Sequence, residues 1–150
     1  MEIVFKVAKN SKEMKTAFEL IVKHYQHLNL DQAIFEETVE EMIKRNDYQM
    51  LLAFNDGGDG LDLVGVAGFW VSRMFYCGRY LQVSNLIVNE KYRSNGVGRK
   101  ILQHLESIAQ KQHCLKIVLD SYTENKRSHS LYFTEGFYIR GFHFVKDLSS

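Results

Sequence analysis

The sequence predicts a single α/β domain, in which a mixed sheet of about six or seven strands carries helices on both faces. Segments that alternate apolar and polar residues, as half-buried strands do, are interleaved with segments whose apolar residues recur at helical spacing. The chain has 150 residues and is 45% hydrophobic, which suffices for one core. Since no linker, repeat or low-complexity segment divides residues 1–150, we expect one domain.

The first part of the chain is predicted to supply four strands and two helices. The elements are, in order, a strand at 2–8, a helix from Ser11 to about His27, a helix at 32–46, and strands at 48–54, 63–75 and 80–88. Asn10 can cap the first helix, and residues 55–60 (NDGGDG) predict a turn. Within the third strand, Gly65 and Gly68 indicate a bulge or a close backbone approach.

The second part of the chain continues the alternation. A helix is predicted to about Gln112, then a strand at 116–122 and a helix at 125–135. Gly136 is placed to end that helix. The segment 137–146 (FYIRGFHFVK) predicts one or two final strands around Gly141.

The composition excludes several classes of function. The chain carries 19 basic and 18 acidic residues, a formal charge of +1, so nothing in its charge favours nucleic-acid or membrane binding. No segment has the length and apolarity of a membrane span, and the N-terminus lacks a signal-peptide pattern. Cys77 and Cys114 are expected to be reduced and packed. These observations favour a cytoplasmic protein.

Residues 86–102 (LIVNEKYRSNGVGRKIL) are the most informative stretch. They read as an apolar strand, a short polar link, an Arg-rich glycine turn and an amphipathic helix. Gly96 and Gly98 lie where the helix begins, and a helix start carries unpaired N–H groups and a partial positive charge. Because glycine lets the backbone approach an anion closely, the turn predicts a phosphate or pyrophosphate site.

Two common nucleotide-binding loops do not fit this turn. A P-loop requires Gly-Lys followed by Ser or Thr, which does not occur in the chain. A dinucleotide-binding turn requires a third glycine where this chain has Ile101. Asp120 does lie near the end of the next strand, where a ribose-binding acid would be. That turn normally follows the first strand of its fold, however, whereas here it comes late in the chain.

The remaining pattern, Arg93-x-x-Gly96-x-Gly98, resembles the pyrophosphate motif [Q/R]-x-x-G-x-[G/A] of the GNAT superfamily of N-acetyltransferases. A second motif of that family, N-x-x-A-x-x-L-Y-x-x-x-G-F, also has a counterpart. The matching residues are Asn125, Ser128, Leu131, Tyr132, Gly136 and Phe137, with Ser in place of Ala. The order of the predicted elements fits the family over nearly the whole chain, although the first 80 residues match in pattern only.

The resemblance implies that acetyl-CoA is the cosubstrate and that no metal takes part. In the family, strands four and five splay apart and the pantetheine arm pairs with strand four. Backbone N–H groups of strand four would face the thioester carbonyl, and the glycine turn would hold the pyrophosphate. The positions concerned are Leu86, Ile87 and Val88 on the strand, and Arg93, Ser94, Asn95, Gly96, Val97, Gly98 and Arg99 in the turn. Arg99 and Lys100 fit a solvated helix face equally well.

The resemblance also assigns two residues of the second motif. Asn125 would hydrogen-bond the pantetheine, and the same position suits a plain helix cap. Tyr132 would lie near the sulfur and protonate the departing thiolate, which a phenol with a pKa of about 10 can do at neutral pH. A packed helix tyrosine is the alternative.

The base is not assigned by the sequence. Some relatives use a strand-four glutamate, but the corresponding residue here is Gln82, whose amide cannot accept the proton. Four other residues could act directly or through water, although each also suits a structural or solvated role: Asp120, Glu124, His129 and His143.

The sequence therefore predicts acetyl transfer to a primary amine of a small molecule or peptide, by direct attack in a ternary complex. The alternative is a non-catalytic CoA-binding module of the same fold. The acidic face of the second helix (Glu36, Glu37, Glu40 and Glu41) is a solvated surface or a lip for a cationic amine. The C-terminal segment lines the acceptor side or pairs with a second copy in a homodimer.

Overall fold

The computed structural model describes residues 1–57 and 61–149, which form two compact units. Met1–Leu119 contains the sheet and most of the helices, whereas Asp120–Ser150 contains one helix and a segment without regular structure. The middle of the predicted turn, Gly58–Gly60, lies outside the described residues; next to it, Gly57 N donates to Asn55 Oδ1 at 3.1 Å. One domain over residues 1–150 stays a prediction.

The sheet is mixed, as predicted, but within residues 1–57 and 61–149 it has five strands rather than six or seven. The strands are β1 (Ile3–Ala8), β2 (Gln49–Asn55), β3 (Asp62–Met74), β4 (Gly78–Val88) and β5 (Lys116–Leu119). They lie in chain order across the sheet. β1 to β4 are antiparallel neighbours, and β5 runs parallel to β4 because α4 crosses between them.

In the part of the chain that the structure describes, five α-helices accompany the strands. They are α1 (Ser11–Met14), α2 (Phe18–His24), α3 (Gln32–Asn46), α4 (Val97–Lys111) and α5 (Lys126–Thr134). The predicted first helix is thus divided, because a 3₁₀ segment at Lys15–Ala17 separates α1 from α2 and another follows at Gln26–Leu28. Asn10 caps α1 as predicted, since its side chain accepts from Glu13 N at 2.8 Å.

Both faces of the sheet are covered in the Met1–Leu119 unit. On one face, Met14, Ile21 and Phe35 of α1 to α3 pack over β2 to β4 in an apolar cluster, hereafter the α1–α3 face. On the other face, Ile101 and Leu105 of α4 pack over the same strands, hereafter the α4 face. The prediction of helices on both faces is confirmed.

The prediction of final strands at 137–146 is wrong. Residues 137–149 form neither helix nor strand, and Phe142 and Phe144 are 81% and 93% exposed. Likewise β5 ends at Leu119 rather than at Tyr122. Alternation shows that a segment can form a strand, but a strand also needs a neighbour to complete its backbone hydrogen bonds, and the described residues supply none here.

Candidate active site

Helix α4 begins with an uncapped N-terminus. Its N-cap, Gly96, has φ 75° and ψ 16°, in the left-handed region that favours glycine. Gly96 has no side chain to cap the first N–H groups, and a Cβ built there meets nothing within 4 Å. The predicted anion site is therefore an open helix start with backbone donors at its surface.

The start of α4 is held close to the sheet from beneath. Val97 and Gly98 are buried, whereas the preceding turn residues are exposed. Directly below, Gly65 of β3 leaves room for the helix: a Cβ there would lie 2.8 Å from Ile101 Cδ1 and 3.2 Å from Val97 Cγ1. The predicted close approach at Gly65 is confirmed, and it positions the helix start against the sheet.

The loop that enters α4 is fixed by side-chain hydrogen bonds. Asn95 Nδ2 donates to the Tyr92 and Arg93 carbonyls at 3.1 and 3.0 Å. Asn89 Nδ2 donates to Leu63 O at 3.1 Å, which ties the end of β4 to β3. Tyr92 Oη donates to Asp62 Oδ2 at 2.5 Å; this bond and nearby Lys91 lower the pKa of the Asp62 carboxyl. The exposed turn is thus anchored on both sides.

Arg93 belongs to a charge network rather than standing alone. Its guanidinium lies 3.8 Å from Glu90 Oε1, and Glu90 Oε2 lies 3.2 Å from Lys23 Nζ. Lys23 first and Arg93 second lower the pKa of the Glu90 carboxyl. Partial burial, Arg93 and His27 lower the pKa of His24, which keeps its imidazole neutral at neutral pH. The network links the end of α2 to the glycine turn.

Lys100 and Arg99 are both exposed at the start of α4. Lys100 Nζ donates to Met1 O at 3.4 Å. On the acidic face of α3, Glu41 pairs with Arg45 at 3.0 Å and Glu40 accepts from Ser11 Oγ at 3.3 Å. These contacts fit solvated surfaces, and they leave the assigned roles of these charges as predictions.

Strand β4 contains a bulge next to the predicted thioester-binding positions. Ala67 pairs with Leu86 and Phe69 pairs with Val83, so Gly68 alone faces two residues of β4, Ser84 and Asn85. β5 pairs with β4 only from Tyr80 to Val83. Beyond Val83, β4 continues without a described strand on that side, because β5 ends at Leu119. The splay of strands four and five stays a prediction.

Among the described strands, the segment Leu86–Val88 pairs with β3 alone. It bonds to β3 through Ala67, Val66 and Gly65. Ile87 packs on the α1–α3 face, whereas Leu86 and Val88 pack on the α4 face. Backbone groups of a strand point alternately to its two sides, so those directed away from β3 form an open edge to which an extended ligand could bind.

A polar contact at the bulge was not predicted from the sequence. Tyr48 Oη donates to Asn85 Oδ1 at 2.6 Å, and both groups lie over Gly68, where a Cβ would collide with them. Burial raises the pKa of the Tyr48 phenol, so it is protonated and donates. The glycine signalled a close approach, but its neighbours are distant in sequence and only the fold identifies them.

Gln82 occupies the position where some relatives have glutamate. It is half-buried on β4, and its Nε2 donates to Val83 O at 3.2 Å. The amide group has no proton-accepting role there, and the described residues of the Met1–Leu119 unit supply no replacement carboxylate on β4.

In the Asp120–Ser150 unit, the second sequence motif forms α5 and its ends. Asn125 is the N-cap of α5, but its side chain makes no capping hydrogen bond. The predicted N-cap position is confirmed, but the side-chain capping bond does not form, because the Asn125 backbone (φ −85°, ψ 63°) departs from the extended conformation that directs a capping side chain. Gly136 has φ 91° and ends the helix as predicted.

Tyr132 is half-buried on α5. Its ring makes an edge contact with Phe137, with ring centroids 5.9 Å apart. Burial raises the pKa of the Tyr132 phenol, and a hydrogen bond with Ser128 partly offsets this. The hydroxyl is therefore protonated at neutral pH, as a general acid must be.

Each of the four candidate bases has a local partner within the Asp120–Ser150 unit. His143 Nδ1 lies 3.7 Å from Asp120 Oδ1, and His129 Nε2 lies 2.8 Å from Tyr122 O. Glu124 Oε2 accepts from Thr123 Oγ1 at 3.2 Å. These contacts fit structural roles and leave the base unassigned.

Three further sequence predictions concern metals, thiols and membranes. Within residues 1–57 and 61–149, no three His, Cys, Asp or Glu side chains group closely enough to share a metal ion. Cys77 is buried and Cys114 is half-buried, both as free thiols. Among the described helices, none combines the length and apolarity needed to cross a membrane.

The sequence of the chain matches that of a known protein family over most of its length. The Acetyltransferase (GNAT) family matches residues 14–137, which include both motifs. The chain belongs to this family. No curated protein sequence matches it significantly.

Solved structures of GNAT acetyltransferases share the fold of the chain. An acetyltransferase from Trypanosoma brucei is 19% identical with a TM-score of 0.75, covering 98% of this chain and 100% of its own. A ribosomal-protein-alanine N-acetyltransferase from Brucella melitensis is 18% identical with a TM-score of 0.79, covering 99% and 100%. AAC(6')-Iy, solved with a CoA bisubstrate analogue, is 16% identical with a TM-score of 0.77, covering 99% and 100%. At these identities the likeness shows the fold alone.

Proposed function

We propose that the protein transfers an acetyl group from acetyl-CoA to a primary amine of a small molecule or peptide. The observation that carries this proposal is the continuity of an open strand edge at Leu86–Val88 with an uncapped helix start at Gly96. The two features offer backbone donors for an extended arm and, a short loop later, for a pyrophosphate. Family membership and the CoA analogue bound to AAC(6')-Iy support the same ligand.

The residues fit acetyl-CoA in both chemistry and space. We propose that the turn from Arg93 to Arg99 holds the pyrophosphate mainly through the N–H groups at the start of α4, where Gly96 has no side chain to occupy the approach. The Arg93 N–H itself donates to Glu90 O at 3.3 Å. Arg93 adds positive charge that Glu90 only partly offsets, because that pair is exposed and separated by 3.8 Å. We propose that Leu86, Ile87 and Val88 align the thioester and that Asn125, whose side chain does not cap α5, hydrogen-bonds the pantetheine.

The proposed reaction is direct attack in a ternary complex. The thioester supplies an activated carbonyl carbon, at which the carbon–nitrogen bond forms and the carbon–sulfur bond breaks. A β4 backbone N–H donates to the carbonyl oxygen as negative charge develops there. The attacking ammonium first loses one proton to a group that is not assigned. Tyr132 donates its proton to the departing thiolate, and the second proton lost from the nitrogen as the amide forms restores the Tyr132 phenol, directly or through solvent.

Thiol release from acetyl-CoA tests the proposal. The amine panel contains an aminoglycoside, a peptide with an N-terminal alanine, a lysine peptide and a polyamine; the first two follow the substrates named for structural neighbours. Amine-dependent thiol release with a matching acetylated product is expected for at least one class. No turnover with any class would contradict the proposal.

Gln82 favours one alternative, a CoA-binding module without catalysis. An amide at this position cannot remove the ammonium proton, and each candidate base has a local partner. The alternative predicts tight CoA binding with no turnover over the panel. Turnover by the wild-type protein and its loss in Tyr132→Phe would exclude it.

A further inference from the structure

The bulge of β4 carries a polar side chain with an unused donor. Asn85 Nδ2 is buried and makes no hydrogen bond with any described residue, whereas Asn85 Oδ1 accepts from Tyr48 at 2.6 Å. An amide nitrogen has two N–H groups, and buried polar atoms in folded proteins nearly always have partners. A buried donor without one indicates a partner that the chain itself does not provide.

The surroundings hold Asn85 in one orientation. Tyr48 is 1% exposed and packs in the apolar cluster of the α1–α3 face. Its hydroxyl donates to the amide oxygen and so directs the amide nitrogen away from Tyr48. Gly68 leaves the space in which this contact forms. Tyr48, Gly68 and Asn85 thus form a unit that holds a buried N–H donor in place at the bulge.

The position of this donor relates it to the acceptor amine. Asn85 immediately precedes Leu86–Val88, and its contact with Tyr48 places it on the α1–α3 face. The glycine turn and α4 lie on the opposite face. If the pyrophosphate binds at the start of α4 and the thioester lies along β4, the attacking amine approaches the bulge of β4 from the side of the α1–α3 face.

We propose that Asn85 Nδ2 donates a hydrogen bond to an oxygen of the acceptor, and that Tyr48 is the positioning residue for this donor. The inference rests on the proposed function and narrows its substrate class. The acceptor is an amine with a hydroxyl or carbonyl oxygen three bonds from its nitrogen, as in a 1,2-amino alcohol or an α-amino amide. Such an oxygen completes the hydrogen bonding of Asn85 only when the acceptor is bound.

Matched acceptor pairs test the inference. For the hydroxyl, 2-amino-1-propanol is compared with 2-aminobutane, in which a methyl group replaces the hydroxyl. For the carbonyl, alaninamide is compared with 1,2-dimethylpropylamine. The measured quantity is the ratio of kcat/KM values within each pair. The two amines of a pair differ in intrinsic reactivity, but this difference is the same for the wild type and the variant. It therefore drops out when the ratio of the variant is compared with that of the wild type.

Two Asn85 variants separate the donor from the rest of the side chain. Asn85→Asp keeps an oxygen for Tyr48 and removes the N–H groups, whereas Asn85→Leu removes both. For one of the two pairs, the kcat/KM of the oxygen-bearing amine divided by that of its hydrocarbon partner should fall about tenfold in either variant. A tenfold change is the usual scale of one hydrogen bond. The pair that responds distinguishes a hydroxyl from a carbonyl acceptor. Gln110→Leu, an exposed amide on α4, is the control and should leave both ratios unchanged.

The role of Tyr48 has its own readout. Tyr48→Phe should raise KM for the oxygen-bearing amine about threefold or more, with a smaller change in kcat and none in the Kd of CoA. An ordinary packing defect would instead lower activity equally for both members of a pair. Melting curves of every variant identify any that fails to fold; if Asn85→Leu fails, Asn85→Asp decides.

The outcomes separate this inference from the proposed function. Acetyl transfer by the wild-type protein with unchanged ratios in the Asn85 variants would overturn the inference alone. No acetyl transfer from the wild-type protein to any of these amines or to the wider panel would overturn the proposed function, and this inference with it. A reduced ratio with unchanged CoA affinity supports both.

Discussion

Helices α3 and α4 each have 15 residues, yet they begin in opposite ways. Asp31 caps α3, because its carboxylate accepts from Ile34 N at 2.8 Å. Gly96 begins α4 in a left-handed conformation and provides no cap. At the first helix start a neighbouring side chain accepts from one of the N–H groups, whereas the second has no side-chain cap, as the proposed pyrophosphate site requires.

The two helix starts also differ in the contacts that hold them in place. The residues around the start of α3 are exposed and its cap is local. The start of α4 is instead held by buried contacts with Gly65 and by the hydrogen bonds of Asn95 in the preceding loop. A helix start that serves stability needs one good cap, whereas one that serves binding needs a rigid support and no cap.

The largest expected effect comes from converting the start of α4 into one like that of α3. Gly96→Asp adds a carboxylate that can cap the helix, strains the left-handed backbone and repels a pyrophosphate. We expect CoA affinity to fall by about 100-fold or more. The neutral variant Gly96→Asn, which tolerates the left-handed region, should lose less. Calorimetric titration with CoA measures both. Equal affinity in Gly96→Asp and the wild type would show that the site lies elsewhere.

The second-largest expected effect is a loss of catalytic rate without a loss of CoA binding. Tyr132→Phe removes the proposed acid but keeps the ring contact with Phe137. We expect kcat to fall about 100-fold with little change in the Kd of CoA. Steady-state kinetics with the best amine and a CoA titration provide the two values. Phe133→Leu, an exposed position on the same helix, is the control. An unchanged kcat would rule out the acid role.

A smaller effect tests the support beneath α4. Gly65→Ala would place a Cβ 3.1 Å from the Ile87 carbonyl oxygen and close to Ile101. We expect the free energy of unfolding to decrease by about 1–3 kcal/mol, with weaker CoA binding because the helix start is displaced. Chemical denaturation measures the first effect. Gly141→Ala, where a Cβ meets nothing within 4 Å, should be nearly neutral. Similar values for the two variants would show that α4 does not depend on this approach.

The smallest expected effect comes from removing the side-chain cap of α3. Asp31→Ala removes the cap of α3, so the free energy of unfolding should decrease by about 1 kcal/mol. The Kd of CoA should not change, because the N-terminus of α3 has no part in the proposed site. Denaturation and CoA titration are measured together. A change in CoA affinity matching that of Gly96→Asn would mean that the two helix starts do not differ in function.

The sequence alone determined the features that depend on neighbours along the chain. Helical periodicity, the Asn10 cap and the Gly136 helix end were predicted correctly because their interactions span only a few residues. The Arg93–Gly98 turn was predicted for the same reason, and with the α5 motif it indicated the family that residues 14–137 confirm.

Only the tertiary structure decided the features that depend on distant partners. The pattern at 137–146 could not show that the segment lacks a neighbouring strand, and the position of Asn125 could not show that its side chain leaves the helix uncapped. The contact of Tyr48 with Asn85 over Gly68 joins three separate strand regions. A local pattern specifies what a residue can do, but the fold selects which distant groups are close enough to do it with.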